Sequence, residues 1–155
     1  MSVSVWARRF GKTAFVRVAS ASTGADGSFA VVVKPRIRTV YLARVAGGPA
    51  GNSVAVAVRP RLRLAVAGTH FYVLNIYAAR SFVGRVAYVQ RWSTARRRWL
   101  TIGPIHMRSA RYGSTVVTTK PFVLRVARGL RLRVRMPLRQ STTGYVTSIS
   151  NAIRT

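Results

Sequence analysis

Leu130-Arg-Leu-Arg-Val-Arg-Met136 alternates apolar and charged residues without interruption. Successive side chains of an extended strand point to opposite faces, so this run sends Leu130, Leu132, Val134 and Met136 one way and Arg131, Arg133 and Arg135 the other. Wound into a helix, the same residues would scatter both kinds around the axis. The period of two recurs along the chain and marks strands at residues 3–5, 15–18, 29–33, 39–45, 53–58, 62–64, 71–77, 85–90, 99–102, 115–119, 130–136 and 145–149. Turn residues separate them, among them Gly24-Ala-Asp-Gly27, Gly47-Gly-Pro49, Gly103-Pro104 and Ser141-Thr-Thr-Gly144. No stretch carries a capped 3.6-residue apolar period. Many short strands with no helices between them point to an all-β sandwich or barrel.

The chain also repeats itself. Gly27-Ser-Phe-Ala-Val-Val-Val-Lys-Pro35 matches Gly113-Ser-Thr-Val-Val-Thr-Thr-Lys-Pro121 at five of nine positions, 86 residues apart. Val3-Ser-Val-Trp-Ala-Arg8 precedes the first copy as Val86-Ala-Tyr-Val-Gln-Arg91 precedes the second, and Phe15-Val-Arg-Val18 parallels Trp99-Leu-Thr-Ile102. An offset of this size is that of one sandwich domain rather than a short solenoid unit. The expected organisation is a partial module at 1–59 and a complete one at 60–155, with the boundary at Arg59-Pro60-Arg61. The second copy has two strands ahead of its Val86 segment and the first has none ahead of Val3. The first module is therefore expected to lack its opening strands, to be completed by chain upstream of Met1 or by another chain, and otherwise to leave Trp6, Val18 and Val33 exposed.

The order of these features, V-x-V/Y-x-x-R, then W/F-V/L-x-V/I, then G-S-x-x-V-x-x-K-P, resembles the immunoglobulin-like and fibronectin-III-like repeats of secreted and surface proteins of high-GC bacteria. The resemblance covers most of the chain. It implies an immunoglobulin-like antiparallel β-sandwich, one complete module preceded by a partial one, serving as a spacer, stalk or adhesive element. Extracellular or cell-surface placement follows from the resemblance, although no signal peptide is visible; a cytoplasmic location is the alternative.

Charge supplies the functional signal. Lys12, Lys34 and Lys120 are the only lysines among 27 basic residues, which leaves 24 arginines against one acid and a net charge of +26. Such a field attracts polyanions. The same imbalance argues against catalysis. Asp26, the sole acid, sits in turn chemistry beside Gly27, so paired carboxylates are impossible and a Ser-His-acid triad would have to recruit that one residue. His70 and His106 are isolated, and with no cysteine the metal-ligand supply is poor. The chain is thus expected to be no enzyme and to have no cofactor, metal or catalytic residues.

The candidate binding residues are Arg131, Arg133 and Arg135 on one strand face, Arg61 and Arg63 on what is read as a neighbouring strand, and Arg96-Arg97-Arg98 in a hairpin loop between Trp92 and Trp99. Rows of strand arginines stand ~6.5–7 Å apart, a spacing that suits successive anionic groups. Trp99 is expected in the core. The favoured function is a non-catalytic structural or adhesive module of an exported protein, whose basic face meets an anionic cell-envelope polymer or lipid surface, with neighbouring repeats as further partners. The alternative is a non-specific nucleic-acid-binding or ribosome-associated protein, which would associate with nucleic acid at low salt. Scarce lysine and strand-locked arginines favour the first.

Overall fold

The computed structural model describes residues 1–155 and contains no α-helix, only strands and one short 3-10 turn at Leu138–Gln140. No helix is long and apolar enough to cross a membrane. The chain forms two compact units, Met1–Val58 and Arg59–Thr155.

The first unit is one antiparallel sheet of β1 (Ser2–Arg9), β2 (Val16–Ser22), β3 (Thr39–Val45) and β4 (Ala50–Val56), in the order β2-β1-β3-β4. Alternation decides its faces. Val3, Val5 and Ala7 are buried on the inner side, while Trp6 lies on the outer side, its indole N–H donating to Ser4 Oγ.

The expected strand at 29–33 does not form. Burial over residues 29–37 keeps a period of two, with Val31, Val33 and Ile37 turned inward, yet the chain bends at 36–37 and no ladder joins this segment to a strand. A strand needs a neighbour for its backbone groups. In the second unit the matching residues belong to β10 (Val116–Val123), which pairs in antiparallel register with β6 (Phe71–Ala78). Residues 1–58 hold no counterpart of β6.

The second unit has two antiparallel sheets around one core. β5 (Arg61–Gly68), β6, β10 and β9 (Ser109–Arg111) form one in the order β5-β6-β10-β9. The other is β12-β11-β7-β8, from β7 (Val86–Ser93), β8 (Arg98–His106), β11 (Arg131–Met136) and β12 (Ser148–Ile149), with β13 (Ile153–Arg154) also paired to β11. Leu64, Leu74 and Ile76 meet Ala87, Val89, Leu132, Val134 and Met136 in a sandwich-like core, all at 2% exposure or less. The one fully buried polar side chain, Thr118, accepts a hydrogen bond from the Phe82 N–H at 2.9 Å. The last expected strand, at 145–149, shrinks to Ser148–Ile149, because Tyr145 N–H closes a turn onto Thr142 C=O and Val146 C=O accepts from Ser141 Oγ instead of a neighbouring strand; beyond β12 the chain runs on through Ser150 and Asn151. There the Ser150 hydroxyl accepts from Val134 N–H, and the Asn151 amide both accepts from Leu64 N–H and donates to Leu64 C=O, each at 2.9 Å. Asn151 thereby occupies the exposed edge of β5 and ties one sheet to the other.

The sheet β2-β1-β3-β4 repeats the order β8-β7-β11-β12 and carries the same irregularity. A bulge skips Val18 opposite Val5/Trp6 in one and Ile102 opposite Val89/Gln90 in the other.

Candidate polyanion-binding face

Nineteen of the 27 basic residues lie in the second unit, which has no acidic side chain at all. Asp26, in the first, accepts hydrogen bonds from Ser28 Oγ at 2.8 Å and Ser28 N–H at 3.0 Å, and these hold its carboxyl below the ordinary value. No group of three or more His, Cys, Asp or Glu side chains comes together.

Leu132, Val134 and Met136 point into the core, so Arg131, Arg133 and Arg135 form a row on the outer face of their sheet. Register places Gln90 opposite Arg133 and Tyr88 opposite Arg135 on β7, and Arg154 opposite Arg131 on β13. Two guanidinium-bearing residues therefore stand directly across a strand pair, an arrangement that costs folding energy when nothing neutralises it.

The row is not uniform. Arg133 Nε donates to Gln90 Oε1 at 2.9 Å, and its guanidinium lies 4.2 Å from the centre of the Trp99 ring. Gln90 is itself buried and its amide reaches Thr101 Oγ1 at 3.4 Å. Burial, and next the charge of Arg135, lower the proton affinity of Arg133; arginine remains charged at neutral pH regardless. Its two terminal nitrogens stay available to an outside acceptor. Arg131 sits 5.9 Å from the same ring, and Arg135 is exposed.

Trp99 belongs to this outer face and not to the core. Its ring meets Trp92 edge-on at 5.5 Å, 65°. The bulge at Ile102 is the cause. Along an unbroken strand Trp99 would share the inward side of Ile105, which is 3% exposed; the extra residue reverses the phase and turns Trp99 and Thr101 outward. Arg96 and Arg97 occupy the β7–β8 turn, where Arg97 adopts a left-handed φ of 47°, and Arg98 opens β8 opposite Ser93. All three are exposed at the Trp92/Trp99 end of the sheet.

Arg61 and Arg63 do not join the row. β5 hairpins back onto β6, and the edge of the other sheet next to β11 is taken by β12 and β13. Both arginines are exposed on the outer side of the β5-β6-β10-β9 sheet, Arg61 lying 5.7 Å from the Tyr77 ring. Gln90, Trp99 and Arg154 were missed as members of the face. Arg154 lies in a two-residue strand too short for alternation to register, and the place of Gln90 depends on cross-strand pairing.

No protein-family model, no curated protein and no solved structure matches this chain.

Proposed function

We propose that this protein is a non-catalytic, immunoglobulin-like adhesive or structural module of an exported or cell-surface protein, binding an anionic polymer through the outer face of β11. The strand orders support the immunoglobulin-like reading: β5-β6-β10-β9 corresponds to strands A-B-E-D and β12-β11-β7-β8 to G-F-C with one further strand. The recurrence of the second order, with its bulge, in β4-β3-β1-β2 supports tandem repetition, the first unit being the partial copy.

The observation that carries the binding reading is the pairing of Arg131 with Arg154 beside Arg133 and Arg135, in a unit without a single carboxylate side chain. An anion on this face relieves repulsion that folding alone leaves standing. Nucleic acid is the second reading, on the strength of the charge and of Trp92 and Trp99. Base stacking is disfavoured because Arg133 already covers one face of Trp99 and Trp92 abuts it. A polymer of sulfate, carboxylate or phosphate groups needs no free ring.

Titration of heparin, of poly(dT) and of anionic vesicles against salt tests the reading. Heparin or vesicle affinity should fall steeply with salt and weaken in the combined variant Arg131→Gln, Arg135→Gln, Arg154→Gln. Binding that ignores salt, or survives the triple change intact, refutes it. Stronger, stacking-dependent quenching of tryptophan by poly(dT) selects the nucleic-acid reading.

A further inference from the structure

The same four-strand order appears twice with very different cover. In the second unit the inner face of β12-β11-β7-β8 lies under a complete second sheet, and Ala87, Val89, Leu132, Val134 and Met136 are at most 2% exposed. In the first unit the equivalent face of β4-β3-β1-β2 is crossed only by the unladdered segment 29–37. Val16, Val18 and Val54 remain 63%, 46% and 61% exposed, and Val32 on the segment itself 89%.

An apolar cleft of about 340 Å³ opens on each flank of this sheet. One is lined by Val5, Val54 and Val56 of the sheet together with Phe29, Val31 and Val33 of the segment. Ala7, Val16 and Val18 line the other. Residues 29–34 carry no ladder bond, so their backbone is open to an incoming strand.

The second unit shows what occupies that place. Residues 113–121, which share Gly-Ser-x-x-Val-x-x-Lys-Pro with residues 27–35, lead into β10, which pairs antiparallel over eight residues with β6, and β6 in turn with β5. Leu62, Leu64, Leu74 and Ile76 of that hairpin supply the inward layer. The sequence match aligns Val32 with the fully buried Thr118, yet Val32 faces solvent and Val31 and Val33 face the sheet. A one-residue slip reverses every side chain of a strand, and three consecutive valines permit either face. A paired neighbour would fix the register; the segment has none.

We infer that the inner face of the first unit is a docking site for a β-hairpin with the aliphatic alternation of β5 and β6, pairing antiparallel with residues 29–34. The site is separate from the arginine face and stands or falls without it.

The test is amide hydrogen exchange on the full chain with a synthetic peptide of residues 59–79 as the probe hairpin. Exchange across 29–34 should slow about tenfold when the peptide is at ~10 times its dissociation constant. A peptide carrying Leu62→Ser, Leu64→Ser, Leu74→Ser and Ile76→Ser should leave it unchanged. Isolated hairpins are poorly structured in water, so a second arm fuses the same hairpin ahead of Met1 by a flexible linker, with the serine version as control. Protection at 29–34 in either arm, absent from its control, supports the site. Unchanged exchange in both arms overturns it. So does a concentration-dependent dimer of the unmodified chain that protects 29–34 by itself, since the occupant is then a second copy.

Discussion

The three arginines of β11 look equivalent in sequence but not in structure, and single glutamine substitutions should separate them. Arg133→Gln removes the guanidinium from Trp99, worth ~0.5–1 kcal/mol for a surface cation–π contact. It also removes the hydrogen bond to Gln90 Oε1, which a half-exposed charged donor discounts to roughly 1 kcal/mol. Relief of repulsion from Arg135 returns a few tenths of a kcal/mol. The net loss is about 1.5 kcal/mol, or ~6–12 °C in Tm for a unit of this size. Arg135→Gln breaks no hydrogen bond, and Arg131→Gln relieves the opposition of Arg154, so both should melt within ~0.5 kcal/mol of the parent or slightly above it. Binding should behave differently. Each charge that contacts a single-stranded phosphate probe should reduce the log–log salt slope by ~0.7 whichever residue is removed. The assay is thermal unfolding by tryptophan fluorescence in a Trp6→Phe background, so that only Trp92 and Trp99 report. If Arg133→Gln melts at or above Arg135→Gln, the Trp99–Arg133–Gln90 assembly contributes nothing and the geometric argument fails.

Leu74→Ala, at a fully buried position in β6, should lower the stability of the second unit by ~2–5 kcal/mol in denaturant titration. Val16→Ala in β2 should cost under ~0.5 kcal/mol, and a core-sized loss there would mean that the inner face of the first unit is covered in solution. Asn151→Ala strands the N–H and C=O of Leu64 at the β5 edge and should cost ~1–3 kcal/mol, with faster exchange of the Leu64 amide. Asp26 has its carboxyl lowered by Ser28, so its contribution to the 24–28 turn is complete above the ordinary value of 3.8 and is lost as pH falls through the lowered one. The Ser28 amide shift, followed by NMR through that window, should move with Asp26 and stay flat in Asp26→Asn.

Legibility followed the range of the interaction concerned. Alternation in 130–136 sufficed to separate Leu132, Val134 and Met136 from the arginine row, because which side a strand residue takes is a local property. The two flanking tryptophans likewise marked a hairpin turn that holds Arg96 and Arg97, but Arg98, expected in the same loop, opens β8. The same rule failed at Trp99, because one bulged residue, Ile102, reverses the phase between Trp99 and Ile105, and a bulge exists only in relation to the strand it faces. It failed at 29–33 for a related reason. Those residues have the composition and the burial period of a strand, but a ladder belongs to a pair.

The chain by itself determined that the protein is built of strands, which side of most strands is apolar, and that a large positive charge is distributed with almost no acid to offset it. These depend on side-chain chemistry and on a backbone period of two. Only the tertiary structure decided that β5 leaves Arg61 and Arg63 on a different sheet from β11, that Arg154 faces Arg131, and that Gln90 and Trp99 hold Arg133. Those outcomes depend on which strands become neighbours and in what register, and that is set by burying the whole apolar surface at once rather than by any one segment.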